Sequence, residues 1–427
     1  MLSLPLLAAA QIPAGAASAQ EAPVQPDLPP YTAFSPEEEA VHNARFQALV
    51  KAFSTGTGLD SYSPLVAVPG KAQEGIPRRN TAENTISADA LQAITDYAAK
   101  NNSDALLVYR DGALEHEIYF GDTTKDTLIN ARSMAKPVTA LAVGRAIKLG
   151  YIGSLDEPVS KYVTAWRNDP KKSKILVRHL LDMRTGLLPQ GAAFDPNHVL
   201  NRAYLHPRHD EVIIRDYPAL YEPGTRYGYS NATSEMVAPL IEAATGRRYE
   251  TFISEEVFRK IGAAGGKIWL NRDGGTAHSG CCILLPTEDY LRISLLILQD
   301  GIWQGNTLLP AGYVTEMKQG TAENPYYGLG LWVAGTYIER RGVAHPDRDF
   351  YKVLHSEPYE ADDLVLFDGN GNQVSYIVPS ETLIILRLGK RPPKGREWDN
   401  SFMPNTVIRG IVKNRGTSKR QPPPQSR

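Results

Sequence analysis

Two stretches with the signature of a β-hairpin lie near opposite ends of this chain, and they limit its fold more than any other feature. Ala105-Leu-Leu-Val-Tyr109 is followed by a turn at Asp111-Gly112 and then by Ala113 to Phe120. Gln373 to Val378 and Thr382 to Leu388 flank Pro379-Ser380-Glu381 in the same manner. Short apolar runs bounded by turn formers read as paired strands. Between the hairpins, Val138 to Leu149, Ser234 to Thr245 and Glu288 to Gln299 carry apolar residues at helical spacing, the first ending at Gly150. This order predicts an α+β fold with one antiparallel sheet built from both ends of the chain, flanked by helices, and a helical domain inserted between.

The first residues contain a short apolar run ending in Ala17-Ser18-Ala19, a small-residue pattern suited to cleavage before Gln20. Residues 1–19 are therefore expected to be a signal peptide, and the protein to be secreted or periplasmic. The run is too short for an integral membrane span. Residues 20–85 read as a proline-rich linker and an N-terminal extension, with a helix over Pro36 to Phe53 and no clear period beyond it. The main domain is expected over 86–415, its sheet part over about 86–125 and 265–415 and its helical part over about 126–264, with 416–427 as a disordered tail. Charges of both signs are mixed along the chain and nearly cancel to -1, so nucleic acid is not expected as a partner. Oligomeric state is not readable. The only cysteines, Cys281 and Cys282, are adjacent; an unstrained bridge between neighbours is geometrically disfavoured, and no disulfide framework is expected.

Ser133-Met-Ala-Lys136 has the S-x-x-K form, and three residues along a helix bring the two side chains to one face. A serine hydroxyl is a weak nucleophile until a nearby base takes its proton, and a desolvated lysine can serve. The motif falls between a hairpin and a long apolar helix, with Pro137 in the first turn, where it costs no hydrogen bond. The alternative is a capping serine beside a surface lysine. Downstream, Tyr229-Ser230-Asn231 closes the loop that begins at Pro223-Gly224. Tyr229 could act as general base on Ser133 and then as acid to the leaving group, provided Lys136 lowers its pKa; otherwise it is a core aromatic. Asn231 would orient the lysine or the substrate.

Through these motifs the chain resembles the serine β-lactamase-related hydrolases, the penicillin-binding-protein-like family that holds class C β-lactamases, family VIII esterases and nylon-oligomer hydrolases. The resemblance runs from about Ala105 to Val412 and includes Leu155 to Tyr162, Val177 to Leu187 and Gly280 to Tyr290. It implies a catalytic serine at the junction of sheet and helical domain, with Ser133, Lys136 and Tyr229 as catalytic residues. The family's Lys-Thr-Gly tripeptide is absent near the C-terminal hairpin. In its place stands Phe367-Asp-Gly-Asn-Gly-Asn-Gln373, similar to the glycine-rich variant of nylon-oligomer hydrolases. By that resemblance the backbone N–H of Asn370 joins that of Ser133 as an oxyanion hole; an ordinary hairpin turn is the other reading.

The expected activity is hydrolysis of a small-molecule ester or short amide through an acyl-enzyme, with no cofactor. β-Lactamase or D-alanyl-D-alanine peptidase activity is the alternative, disfavoured because the missing lysine normally helps to hold an anionic group, although Arg387 or Lys390 could supply that charge. A ligand-binding or sensor protein without turnover is the alternative of another class. His198, His206, His209 and Asp210 suggest metal ligands, but Pro207 breaks their spacing; they read as solvated loop histidines, and no metal is expected. His355 precedes the glycine-rich segment and lines the pocket or lies on the surface.

Overall fold

The computed structural model describes residues 32–55, 59, 62–191, 193–345 and 351–412. The signal-like start, the proline-rich linker and the C-terminal tail lie outside the described residues. Contacts divide the chain into Met1–Pro30 and Tyr31–Arg427, and the described residues all belong to the second unit.

Ser103–Arg110 and Ala113–Tyr119 form the first expected hairpin, and Gln373–Val378 and Leu383–Gly389 the second. The two join edge to edge: Leu383–Gly389 runs antiparallel to Ser103–Arg110, with Leu386 opposite Leu107 and Ile385 opposite Val108. Val365–Gly369 and Trp332–Val333 complete a six-stranded antiparallel sheet beyond Gln373–Val378. Its central strands are apolar on both sides because helices cover both faces. On one face Leu106, Val108, Leu366, Tyr376 and Ile385 pack with Leu91 and Ile94 of helix Ala88–Lys100 and with Met403 and Val407 of helix Phe402–Arg409. On the other, Ser375, out of phase with Val374 and Tyr376, meets helix Thr287–Leu298, where the Ser294 and Ser375 hydroxyls lie 2.8 Å apart. Truncating one of these buried aliphatic residues to Ala costs about 2–5 kcal/mol.

Helix Ala135–Lys148 runs through the core and is buried continuously from Ala135 to Ala146, as suits a helix with little polar surface. Its buried Arg145 is paired, donating to the Leu308 carbonyl at 2.6 Å and to Glu256 at 2.8 Å. The helix expected over Ser234 to Thr245 begins earlier, as Asn231–Glu235, and continues as Val237–Thr245.

A second, four-stranded sheet in the order Leu65–Pro69, Gly265–Trp269, Ile283–Leu285, Ile129–Asn130 ties the N-terminal extension to the rest of the unit. Helix Pro36–Thr55 is anchored by polar contacts. The fully buried Arg202 donates twice to the Glu39 carboxylate, at 2.7 and 2.9 Å. Arg45 donates to the carbonyls of Leu205, Ser63 and Asn271, each at 2.9 Å. These contacts have no sequence period, which is why the segment shows none. Among the described residues no helix is long and apolar enough to cross a membrane.

Candidate active site

Strand Ile129–Asn130 leads into a single 3-10 turn, Arg132–Met134, which runs directly into helix Ala135–Lys148. Arg132 has φ +56°, a conformation that costs a non-glycine residue of order 1–3 kcal/mol and persists only where its surroundings enforce it. The enforcing contacts are present: Asn130 Oδ1 accepts the Arg132 N–H at 2.9 Å, and the Arg132 guanidinium donates to the Leu59 carbonyl at 2.8 Å. The kink leaves Ser133 partly accessible while Met134 beside it is fully buried.

Lys136 follows one turn later and is buried. Its Nζ donates to Ser133 Oγ at 3.2 Å, to Asn231 Oδ1 at 3.0 Å and to the Gly280 carbonyl at 2.9 Å. All three ammonium hydrogens are thus satisfied, which offsets the cost of burying the charge. The same nitrogen stands 4.8 Å from the centre of the Tyr229 ring. The structure therefore brings Ser133, Lys136, Tyr229 and Asn231 together from two segments far apart in sequence. Gly280 belongs to this group but could not be found from side-chain motifs, because it acts through its carbonyl. A Cβ there would lie 2.2 Å from Ser234 Oγ, so only glycine lets that carbonyl come so close to the helix carrying Asn231.

Tyr229 is buried against aromatic neighbours. Trp332 lies nearly parallel to it at 6.2 Å and Tyr327 edge-on at 6.1 Å. Gln190, from the loop after Leu188, donates its N–H to the Tyr229 carbonyl at 2.6 Å, and its Oε1 accepts from the Asn231 N–H at 3.4 Å. Gln190 thus bridges both residues of the Tyr-x-Asn motif, a role with no sequence signal.

Asn370 makes none of these contacts. It is exposed on the three-residue turn Asn370-Gly371-Asn372 that joins Val365–Gly369 to Gln373–Val378, where Gly369 pairs with Gln373. The glycine-rich segment is a hairpin turn, and it is also held against the serine loop. A Cβ at Gly369 would be 2.2 Å from the Ala131 carbonyl oxygen. The Gln373 amide donates to the carbonyl of Asn130 at 2.9 Å and to that of Asn370 at 3.3 Å. Arg391 donates to Asn370 Oδ1 at 2.9 Å.

Several expectations change. Cys281 and Cys282 are bonded to each other, with Cα atoms 3.7 Å apart; Cys282 adopts φ +68°, a left-handed backbone that the expectation from spacing alone did not consider. His206 and His209 are fully buried, not solvated. His206 packs its ring on Phe34 and His42, contributed by the N-terminal extension, and His209 faces Glu235 and His278. His198 caps helix Val199–Leu205 through Nδ1. His355 is buried, and burial pushes its pKa down to about 3. It lines a cavity of about 200 Å³ with Tyr337, Arg341 and Tyr359, and none of Ser133, Lys136, Tyr229 and Asn231 lines that cavity. Arg387 is fully buried, and its guanidinium is committed to Ser103 Oγ and to the carbonyls of Asn101, Gly371, Asn372 and Lys390. It has no donor left for an anionic substrate.

A family model described as Beta-lactamase matches residues 91–280, which include Ser133, Lys136, Tyr229 and Asn231. A D-aminopeptidase of Brucella anthropi is 27% identical over 192 residues, 40% of this chain and 34% of that protein. Esterase EstB of Burkholderia gladioli is 28% identical over 156 residues, 32% of this chain and 38% of that protein. The chain thus spans little more than a third of the length of these curated relatives. In fold, a candidate 6-aminohexanoate-dimer hydrolase from Bacillus anthracis superposes with a TM-score of 0.65 at 18% identity, covering 83% of this chain and 92% of that one. The antiparallel sheet between helical layers, the S-x-x-K serine at the start of a buried helix and the match over residues 91–280 agree: the chain has the fold of the β-lactamase and penicillin-binding-protein-like proteins.

Proposed function

We propose that the protein is a serine hydrolase that cleaves a small ester or short amide through an acyl-enzyme on Ser133. The observation that carries this reading is the position of Lys136 Nζ, in contact with Ser133 Oγ, Asn231 Oδ1 and the Gly280 carbonyl and beside the Tyr229 ring. Ser133 Oγ attacks the substrate carbonyl and its proton passes to the Lys136–Tyr229 pair. The tetrahedral oxyanion is held by the backbone N–H groups of Ser133 and, by family resemblance, Asn370. The pair returns the proton to the leaving alcohol or amine, and water then attacks the acyl carbonyl and restores the serine. An exported location, from the signal-like start, belongs to the same proposal.

A second reading, hydrolysis of an anionic β-lactam or a D-amino-acid peptide, is favoured by one observation. The Arg391 guanidinium, bound to Asn370, places a cation at the turn where the family's lysine is missing. The test is mass spectrometry after exposure to a fluorophosphonate, followed by kinetics on p-nitrophenyl esters, a nylon dimer and nitrocefin. A single adduct on Ser133 that is lost in Ser133→Ala, together with a rate loss of about a thousandfold or more, is the expected result. A folded Ser133→Ala protein that keeps substantial activity excludes the mechanism.

A further inference from the structure

Beneath the site, three side chains from separate segments turn toward one another: His209 at the start of helix His209–Arg215, Glu235 at the end of helix Asn231–Glu235, and His278 in the loop before Gly280. All three are fully buried, and one ligand atom from each lies within 4.8 Å of the others. Neither ring nitrogen of His209 and neither ring nitrogen of His278 makes a hydrogen bond, while the Glu235 carboxylate is approached by the backbone N–H groups of Ser279 and Gly280. Four unsatisfied ring nitrogens in one buried place are unusual in native interiors, where each such atom costs about 1–3 kcal/mol.

The separations are informative. His278 Nδ1 is 3.6 Å from Glu235 Oε1, and His209 Nε2 is 3.8 Å from Glu235 Oε2. A direct hydrogen bond would draw each pair to about 2.7–3.2 Å. Two ligands that share a tetrahedral ion, each about 2.0–2.2 Å from it, stand about 3.3–3.5 Å apart. These two gaps, made to different oxygens of Glu235, exceed those of a chelate by a few tenths of an ångström, and because the His209 and His278 rings stack at 4.1 Å and 13°, binding one ion requires the rings to turn out of that stack.

We infer that His209, Glu235 and His278 form a binding site for a divalent transition-metal ion of the zinc class. Two imidazoles and a carboxylate are a donor set that zinc accepts, and Glu235 can complete the coordination with both oxygens or leave a position to water. The surrounding charges are mixed. Arg45 and Lys136 act on the cluster as cations, while Asp210, held by Asn271 and Thr276, adds a second carboxylate nearby. The ion fastens the helix that carries Asn231 to the loop that carries Gly280, which together supply two of the three acceptors of Lys136. It touches none of the reacting atoms and serves as a structural clamp behind them.

The test uses the full chain, purified without reductant so that Cys281 and Cys282 stay bonded, stripped with a chelator and titrated with Zn²⁺ or Co²⁺. The expected result is one tightly held equivalent per chain by elemental analysis, and a rise in Tm of about 3 °C at a zinc concentration a hundredfold above Kd. Co²⁺ should give the visible absorption of four- or five-coordinate cobalt without a thiolate charge-transfer band. His209→Gln and Glu235→Gln, checked for folding by circular dichroism, should each lose the equivalent. If neither variant folds, the cobalt spectrum and Tm of the unaltered protein decide. Less than about a tenth of an equivalent, full binding in a folded His209→Gln protein, or a thiolate band would each overturn the assignment.

Discussion

Asn231 and Glu235 stand one turn apart on the same five-residue helix and serve different chemistry: Asn231 Oδ1 accepts from Lys136 Nζ at 3.0 Å, while Glu235 is sealed between His209 and His278. Residues four apart share a helix face. Any shift of that face moves the lysine's acceptor and the buried cluster together.

Replacing Asn231 by Ala removes one of the three acceptors of a buried ammonium, which is worth about 1.5–3 kcal/mol for a charged hydrogen bond. The expected outcome is a fall in kcat/KM of about ten- to a hundredfold. Unchanged kinetics would show that Asn231 does not position Lys136.

Lys136 and Tyr229 are expected to act as one proton-transfer unit, since Lys136 Nζ faces both the serine hydroxyl and the tyrosine ring. The double substitution Lys136→Ala with Tyr229→Phe should therefore cost little more than the worse single change. Rate losses that simply multiply would mean that the two side chains work independently.

The Glu39–Arg202 pair predicts an acid dependence of stability. The hydrogen bonds from Arg202 bring the Glu39 carboxyl from its usual 4.5 down to about 2. The folded state therefore holds this proton more weakly than the unfolded chain. The stabilisation is present above about pH 4.5 and is lost as pH falls toward 2. In Glu39→Gln that part of the acid dependence should vanish, and because a buried guanidinium loses its carboxylate the protein should be less stable by about 3 kcal/mol at neutral pH. Denaturant unfolding across pH measures both; an unaltered profile would mean that the extension is only loosely docked.

For substrates, a short p-nitrophenyl ester is expected to be preferred over nitrocefin when each rate is divided by its uncatalysed rate. If Arg391 does not replace the missing lysine, an anionic β-lactam lacks a charge-assisted contact worth about 1.5–3 kcal/mol, or roughly ten- to a hundredfold in binding. The variant Arg391→Ala separates the two readings. It should leave the ester rate within about twofold, whereas a larger enhancement on nitrocefin that collapses in the variant would establish the anionic class.

What could be read in advance was whatever is local. Both hairpins announced themselves because Leu, Ile and Val run between turn residues, and helix Ala135–Lys148 because its apolar residues recur without a break. Helix Ala88–Lys100 passed unnoticed although Ser87 caps it and Ala90, Leu91, Ile94 and Ala98 make a buried stripe, since alanine marks a helix face weakly. Ser133, Lys136, Tyr229 and Asn231 were visible as spaced motifs. Gly280 and Gln190 were not, because the first works through its carbonyl and the second through contacts made only on folding. The meeting of His209, Glu235 and His278 joins a helix start, a helix end and a loop, and no spacing rule connects them.

Arg387 places the rigidity of the turn at Asn370 in an unexpected location. The turn's carbonyls are fastened by a side chain of the neighbouring strand Leu383–Gly389, which also grips Asn101, Ser103 and Lys390. The tip is consequently relieved of holding its own shape. Sequence drift at Asn370 can change what the turn exposes while the backbone stays in place, whereas Asn372, at φ +60°, is held to residues that tolerate a left-handed backbone, so the rim of this fold can vary at one position without surrendering its framework.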